Sequence, residues 1–230
     1  MSDLTRYSLI TNKLPREFLL LQGTGCIYKN CKFCDYYKDV SANPFEINKP
    51  IIEKISGATG VLDIINSGSC FELDEHTINA IIKKATEKNI HTIWFETHYL
   101  YRNKLSEFRK KFANIHIKFR TGIETFNTEL RNFLNKGIPT NVTAFDIAKD
   151  FDGVCLLIGF IGQTRNDIIN DITIANKYFE YFSVNVFTEN STSLKRDNNL
   201  VNWFTAEIYP KIKNEPAIEI LLNNTDLGVG

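Results

Sequence analysis

Short apolar runs of strand length recur seven times along the chain, at 18–25, 61–67, 91–98, 115–124, 153–160, 183–189 and 217–223, with segments of helical spacing between most of them. That alternation constrains the fold more than any other feature. Runs such as VLDIINS and GVCLLIGF are apolar almost without interruption. A strand that is apolar on both faces must be covered on both, as in a parallel sheet flanked by helices. Parallel strands joined through helices cross over right-handedly. Seven units fall short of the usual eightfold barrel, so the expected class is α/β, either an open or incomplete barrel or a doubly wound sheet. No linker rich in Pro, Gly or Ser interrupts the pattern, and the 230 residues are read as a single domain, 1–230.

The helices are placed by their own signals. IIEKIS, after a segment 38–50 that ends in Pro50, predicts a first helix. A helix over 74–88 follows from Asp74 as N-cap and Ile78, Ile81 and Ile82 at i, i+3, i+4 spacing. A charged helix is expected around 103–112, and another near 126–135 is stopped by Gly137 and Pro139. Further helices are expected at 141–149, 164–179 and 200–213, the last ending at Pro210 or soon after. Either architecture puts function at the carboxyl ends of the strands. The residues to read are therefore Thr24–Cys26, Asn66–Ser69, Glu96–His98, Thr121–Glu124, Gly159–Gln163, Asn185–Glu189 and Asn223–Asp226.

Charge narrows the partners. With 27 basic and 27 acidic residues, the chain carries no net field for a polyanion, so long nucleic acid is not expected. The run FLLL at 18–21 is too short for a signal peptide, and no apolar stretch approaches the roughly 20 residues of a membrane span. The expected compartment is the cytoplasm, where clustered cysteines indicate metal or redox chemistry before disulfides.

Three of the five cysteines stand in one loop, 23–37, as C-x4-C-x2-C: Cys26, Cys31 and Cys34. Incidental burial does not suit three thiols in a polar, Lys-containing loop. A structural zinc wants four ligands, and no second C-x2-C or nearby His completes the set. A plant-type [2Fe–2S] centre shares the spacing and would recruit a distant fourth ligand, Cys70, making the chain a ferredoxin-like electron carrier. A [4Fe–4S] cluster held by three thiolates leaves one iron open for a small molecule, which makes the loop part of a catalytic site. Cys70 and Cys155 read as small buried residues.

The chain resembles the radical S-adenosylmethionine enzymes. In that superfamily a three-cysteine loop after the first strand of a partial (β/α)6 barrel binds a [4Fe–4S] cluster, and S-adenosylmethionine chelates the open iron. Phe33, in KFC, stands where the family places an aromatic near adenine. NSGS, Asn66, Ser67, Gly68 and Ser69, resembles the turn whose backbone binds the methionine amino group. RTGIET, with Thr121 and Glu124, resembles the fourth-strand motif for ribose or the methionine carboxylate. LIGFIGQT, with Gln163, resembles the fifth-strand GLPGQT segment. These motifs cover roughly 18–190 in the family's order. Alone, each has a plainer reading: Ser67–Ser69 an ordinary turn, Glu124 a cap for a helix starting near Phe126, GFIG a close approach of strand and loop. The usual spacing is C-x3-C-x2-C, and the extra residue between Cys26 and Cys31 is expected to bulge from the loop.

The resemblance implies that an electron delivered to the cluster cleaves S-adenosylmethionine to methionine and a 5′-deoxyadenosyl radical, which abstracts hydrogen from the substrate. Flavodoxin or ferredoxin would be the donor. Strand-end polar groups left for a substrate are Glu96, His98, Tyr99, Asn185, Glu189 and Asp226. A carboxylate ending an apolar strand, as Glu96 does in TIWFE, is costly unless paired or wet; His98 reads equally as a satisfied structural histidine. Over its whole length the chain is similar to the small lyases that release queuine from queuosine or its 5′-phosphate, through GTGC…CKFCDYY, INSGS, GIET, GQT and the NTDLGVG tail within 217–230. A glycyl-radical activating enzyme and a 7-deazaguanine-pathway synthase are the rivals within the superfamily.

Overall fold

The computed structural model describes residues 4–230. These fall into two compact units. The first takes the described residues up to Lys29, Tyr36–Phe119 and Thr225–Gly230; the second takes Asn30–Asp35 and Arg120–Asn224.

In the first unit β1 (Tyr7–Ile10), β2 (Arg16–Leu21), β3 (Val61–Asn66) and β4 (Thr92–Glu96) lie side by side in chain order. β2 to β4 are parallel, whereas β1 runs antiparallel to β2 and pairs Tyr7 with Leu19 and Ile10 with Arg16. β1 is an eighth strand that the apolar pattern does not show. It has four residues, none fully buried. Pairing and polar contacts hold it instead: Gly230 donates its amide to Thr5 O at 2.8 Å, and Ser8 Oγ donates to Leu227 O.

The amino ends of β2 and β3 are tied by buried charge. Arg16 and Asp63 form an ion pair at 3.0 Å. Beside it Glu17 accepts from Tyr7 O–H at 2.7 Å, Ser56 N–H at 2.8 Å and Gly57 N–H at 2.7 Å. Buried charges persist where every polar atom has such partners. The same burial pushes the Tyr7 hydroxyl up to about 12, assisted by Glu17.

Helix α1 (Pro44–Ile52) differs from the helix expected after Pro50: it starts seven residues earlier and runs through that proline. Pro44 sits in the first turn, where its missing N–H is no loss. Pro50 is exposed, and the helix holds because Asn48, Ile51 and Ile52 are buried beneath it. Asn48 behaves like a short length of strand. It accepts from Gln22 N–H and donates to Gln22 O, both at 2.8 Å, and also donates to Thr77 Oγ1 at 3.1 Å. Thr77 Oγ1 donates in turn to Asp74 Oδ2, and Asp74 caps α2 (Glu75–Glu87) as the sequence predicts. A short 3-10 turn, Tyr99–Lys104, precedes α3 (Leu105–Lys110), replacing the single expected helix. Phe95, Phe108, Phe112 and Phe119 pack as a ring cluster with centroids 5.3 to 6.5 Å apart.

The two units share β5 (His116–Glu124), which passes from one to the other at Arg120. The second unit continues with α4 (Thr128–Phe133), α5 (Ala144–Ala148), β6 (Gly153–Ile158), α6 (Arg165–Tyr178), β7 (Tyr181–Val186), α7 (Asn198–Trp203), a π-turn at Phe204–Ile208, α8 (Tyr209–Ile212) and β8 (Ile218–Leu221). Its strands are parallel and in chain order. Every residue of β6 is buried, as a two-sided apolar strand requires. β7 starts two residues earlier than expected and stops at Val186, which leaves Asn185 within the strand and Glu189 beyond it. The last helical stretch passes Pro210 because the π-turn restarts the helix there, putting that proline in the first turn of α8. Among the described residues no helix is long and apolar enough to cross a membrane.

Candidate active site

In the first unit the loop after β2 carries Cys26, a free, partly exposed thiol. Lys29 turns left-handed, with φ of 48°, and its N–H reaches Cys26 Sγ at 3.5 Å. This tight return accommodates the extra residue of C-x4-C. It also carries the Tyr28 ring onto His98, stacked at 4.5 Å between centroids and 25° between planes. His98 follows β4; its Nδ1 accepts from Leu100 N–H at 3.2 Å, and its own N–H donates to Ser69 Oγ at 2.9 Å.

Ser69 belongs to the turn after β3. Asn66 Nδ2 donates to Ser69 O at 3.1 Å, and Ser69 N–H donates to Glu72 Oε2 at 2.6 Å. Both the amide and the hydroxyl of Ser69 are thus engaged by the protein itself. Gly68 has no space for a side chain: a Cβ would collide with the Glu72 carboxylate and stand 2.8 Å from Gly25 O. Ser67 Oγ is buried and without a hydrogen-bond partner, an open position for a ligand's polar atom. Glu96 closes β4 half-buried. The Tyr99 ring is buried under the Arg102 guanidinium, 4.7 Å above it. Asp226 is exposed in the tail. Sequence reasoning missed Glu72, although Ser69 and Glu72 have the S-x-x-E spacing of a capping box, which they form. Tyr101, whose hydroxyl reaches Glu72, is held above its usual range by burial and by that carboxylate. Burial likewise raises the Cys70 thiol, which fits an inert, packed cysteine.

In the second unit Cys31 and Cys34, neither of them in a disulfide, lie in a segment tied from two sides. Lys32 N–H donates to Leu134 O at 3.0 Å and Asn135 Nδ2 to Asn30 O at 2.8 Å. From beyond β7, Asn190 Nδ2 donates to Phe33 O at 2.7 Å and Ser191 Oγ to Asp35 Oδ2 at 2.8 Å. The Phe33 ring packs on Leu134, Leu157, Phe160, Phe187 and Leu194.

Glu124 ends β5 in a left-handed conformation, φ 68°, after a bulge at Gly122. A non-glycine residue held there is strained, and such strain collects at ligand-binding positions. The helix that follows is capped by Asn127, not Glu124. Glu124 instead pairs at 2.8 Å with the buried Lys136, whose ammonium lies 5.4 Å from the Phe33 ring centroid. Gly122 makes room for the pair: a Cβ there would stand 2.6 Å from Glu124 Oε1 and 2.9 Å from Lys136 Nζ.

Thr121 Oγ1 and Asn185 Oδ1 are buried and unpartnered, so two expected contact residues present open polar atoms. Gln163 does not: its Oε1 accepts from Gly159 N–H at 2.8 Å and its Nε2 donates to Leu157 O at 3.1 Å, bracing the end of β6. Glu189 is exposed and held below its usual range, first by the Arg196 N–H and then by Lys195, which it meets at 3.2 Å. The turn after Glu124 rests on α6, where the buried Asp171 accepts from Phe126 N–H at 2.7 Å. Desolvation pushes Asp171 up to about 7 despite that bond.

Among the described residues no three His, Cys, Asp or Glu side chains gather around a point that would hold one metal ion. A cubane held by three cysteines has a different demand: it would spread the thiolates over separate irons and leave one iron for another ligand. Three cysteines at this spacing in one loop, one of them already receiving an N–H, suit such a cluster in their chemistry.

The comparisons with known proteins bear on this donor set. No family model matches the chain. A solved structure of queuine lyase from Clostridium spiroforme, bound to S-adenosylmethionine and queuine, is similar at a TM-score of 0.94 and 44% identity, over 99% of this chain and 100% of that one. The chain belongs to the queuine lyase family of radical S-adenosylmethionine enzymes. Methylornithine synthase matches the fold at a TM-score of 0.59 and 17% identity, over 88% of this chain and 63% of that one. An uncharacterized protein of Methanocaldococcus jannaschii is 30% identical over 70% of this chain, which spans 52% of that relative, about half its length. The fold of this queuine lyase family member is the expected α/β incomplete TIM-type barrel, with eight strands among the described residues where the sequence suggests seven.

Proposed function

We propose that the chain releases queuine from queuosine or queuosine 5′-phosphate, using a [4Fe–4S] cluster on Cys26, Cys31 and Cys34 and S-adenosylmethionine as co-ligand. The observation that carries this reading is the 44% identity, over the full length of both chains, to the lyase solved with S-adenosylmethionine and queuine. The cluster, when bound, supplies the electron that cleaves S-adenosylmethionine. The chain's own groups bind and orient. Ser67 Oγ, Thr121 Oγ1 and Asn185 Oδ1 offer open polar atoms in buried surroundings, where a hydrogen bond to ligand is worth most. Glu124, paired with Lys136, suits a cationic or N–H-bearing partner. Phe33 offers an apolar ring face for adenine. Ser69 and Gln163 keep the turns in shape instead of contacting ligand. Glu96, His98, Tyr99 and Asp226 are the groups for a deazaguanine, whose edge presents N–H donors. Glu189 is the weakest of the substrate assignments, being exposed and already engaged. The enzyme would work in the cytoplasm with flavodoxin or ferredoxin as reductant.

The test is anaerobic reconstitution followed by incubation with dithionite, S-adenosylmethionine and either queuosine or its 5′-phosphate. Queuine and 5′-deoxyadenosine are expected together. Formation of 5′-deoxyadenosine with neither substrate yielding queuine would refute the lyase assignment and leave a radical enzyme of another specificity.

A further inference from the structure

Glu72 gathers donors from three turns of the first unit. Its Oε1 accepts from Ile27 N–H at 2.8 Å, directly after Cys26, and from Tyr101 O–H at 3.2 Å. Its Oε2 accepts from Ser69 N–H at 2.6 Å, and its backbone carbonyl accepts from Thr24 N–H at 2.9 Å. The residue is 9% exposed, and Gly68 clears the space its side chain fills. Glu17, at the other end of β2, also collects three donors, but they come from β1 and the loop after α1. The donors of Glu72 come from the loop that carries Cys26, from the turn that carries Ser67 and, in Tyr101, from the turn after β4.

We propose that Glu72 is a positioning residue for the iron–sulfur cofactor, holding the Cys26–Ile27 peptide against the Ser67–Ser69 turn so that thiolate and S-adenosylmethionine-binding backbone keep one spacing. This inference rests on the function proposed above. Charge-assisted bonds to backbone N–H groups are short and directional, which suits a fixture whose tolerance is a fraction of an ångström. An amide cannot replace the carboxylate. Both oxygens accept from N–H groups, and the NH2 of a glutamine would face one of those donors.

The test uses the full chain, reconstituted anaerobically, as wild type, Glu72→Gln and Tyr101→Phe. The readouts are melting temperature, iron content, the EPR spectrum of the dithionite-reduced cluster with and without S-adenosylmethionine, and the dissociation constant for S-adenosylmethionine. Glu72→Gln is expected to fold and take up iron, but with an altered EPR spectrum and at least about tenfold weaker S-adenosylmethionine binding, the scale of losing an outer-shell partner. Tyr101→Phe keeps its ring packed on Phe71 and loses only the hydroxyl; a smaller change in the same direction is expected. Wild-type spectrum and affinity in a folded Glu72→Gln overturn the assignment. Should that variant not fold, wild-type values in Tyr101→Phe overturn it. A wild-type chain that takes up no cluster removes the proposed function and this inference together, whereas a competent wild type with unchanged variants removes only the role of Glu72.

Discussion

The Glu124 carboxylate and the Lys136 ammonium meet at 2.8 Å, with side chains 6% and 10% exposed, in a space that only a glycine at 122 leaves open. Removing one partner of a buried pair strands the other, at about 3–5 kcal/mol. Lys136→Met is therefore expected to lower unfolding free energy by about that amount in urea melts. The double variant Glu124→Gln with Lys136→Met should recover most of it. If Lys136→Met matches wild type in stability, the pair does not hold Glu124 as described.

The cysteines separate the cluster types. Cys26→Ala, Cys31→Ala and Cys34→Ala should each abolish the uptake of about four irons per chain expected of a cubane. Cys70→Ala and Cys155→Ala should leave uptake intact, since both thiols are buried. Two irons per chain, lost on Cys70→Ala but not on Cys31→Ala, would instead identify a ferredoxin-type centre.

Asp171 makes stability depend on pH in a defined direction. Its folded value is raised from 3.8 to about 7 by desolvation, so the folded state holds its proton more tightly. That contribution is complete below pH 3.8 and is lost as pH rises through about 7. Relative to Asp171→Asn, wild type should lose about 4 kcal/mol between pH 4 and pH 8, at about 1.36 kcal/mol per unit. Parallel stability profiles for the two proteins would show that Asp171 is not buried as described.

Gln163 discriminates a brace from a ligand contact. Gln163→Ala leaves Gly159 N–H and Leu157 O without their side-chain partners and should cost about 2–3 kcal/mol in stability. Affinity of the reconstituted enzyme for S-adenosylmethionine should change little by comparison. A large loss of affinity at unchanged stability would reverse the assignment.

Much of this was legible in the residues because it is local. The strand-end positions follow from apolar runs, Asp74 announces a helix start, and the cysteine spacing stands in one loop. What escaped depends on partners far apart in the chain. Glu72 meets Ile27 across 45 residues, and no periodicity records such a meeting. β1 carries too little apolar surface to declare itself and exists through its neighbours. Pro50 normally argues for a boundary, but tertiary burial of Asn48, Ile51 and Ile52 outweighs the one backbone bond it removes. The motif around Gln163 resembles a cofactor contact, and the bonds of its amide to the backbone of its own turn are not visible in that motif.

Asn48 gives helix α1 authority over a loop that it does not contain. Its amide supplies the hydrogen bonds of Gln22 that a further strand residue would otherwise make, and Thr77 joins that amide to the start of α2. The peptide that launches the cysteine loop is thus moored from the side, and its anchorage is written in a helix between the loop and β3. Natural or engineered drift in that helix would be felt first as a change in where the first thiol is delivered, long before any residue of the loop itself had changed.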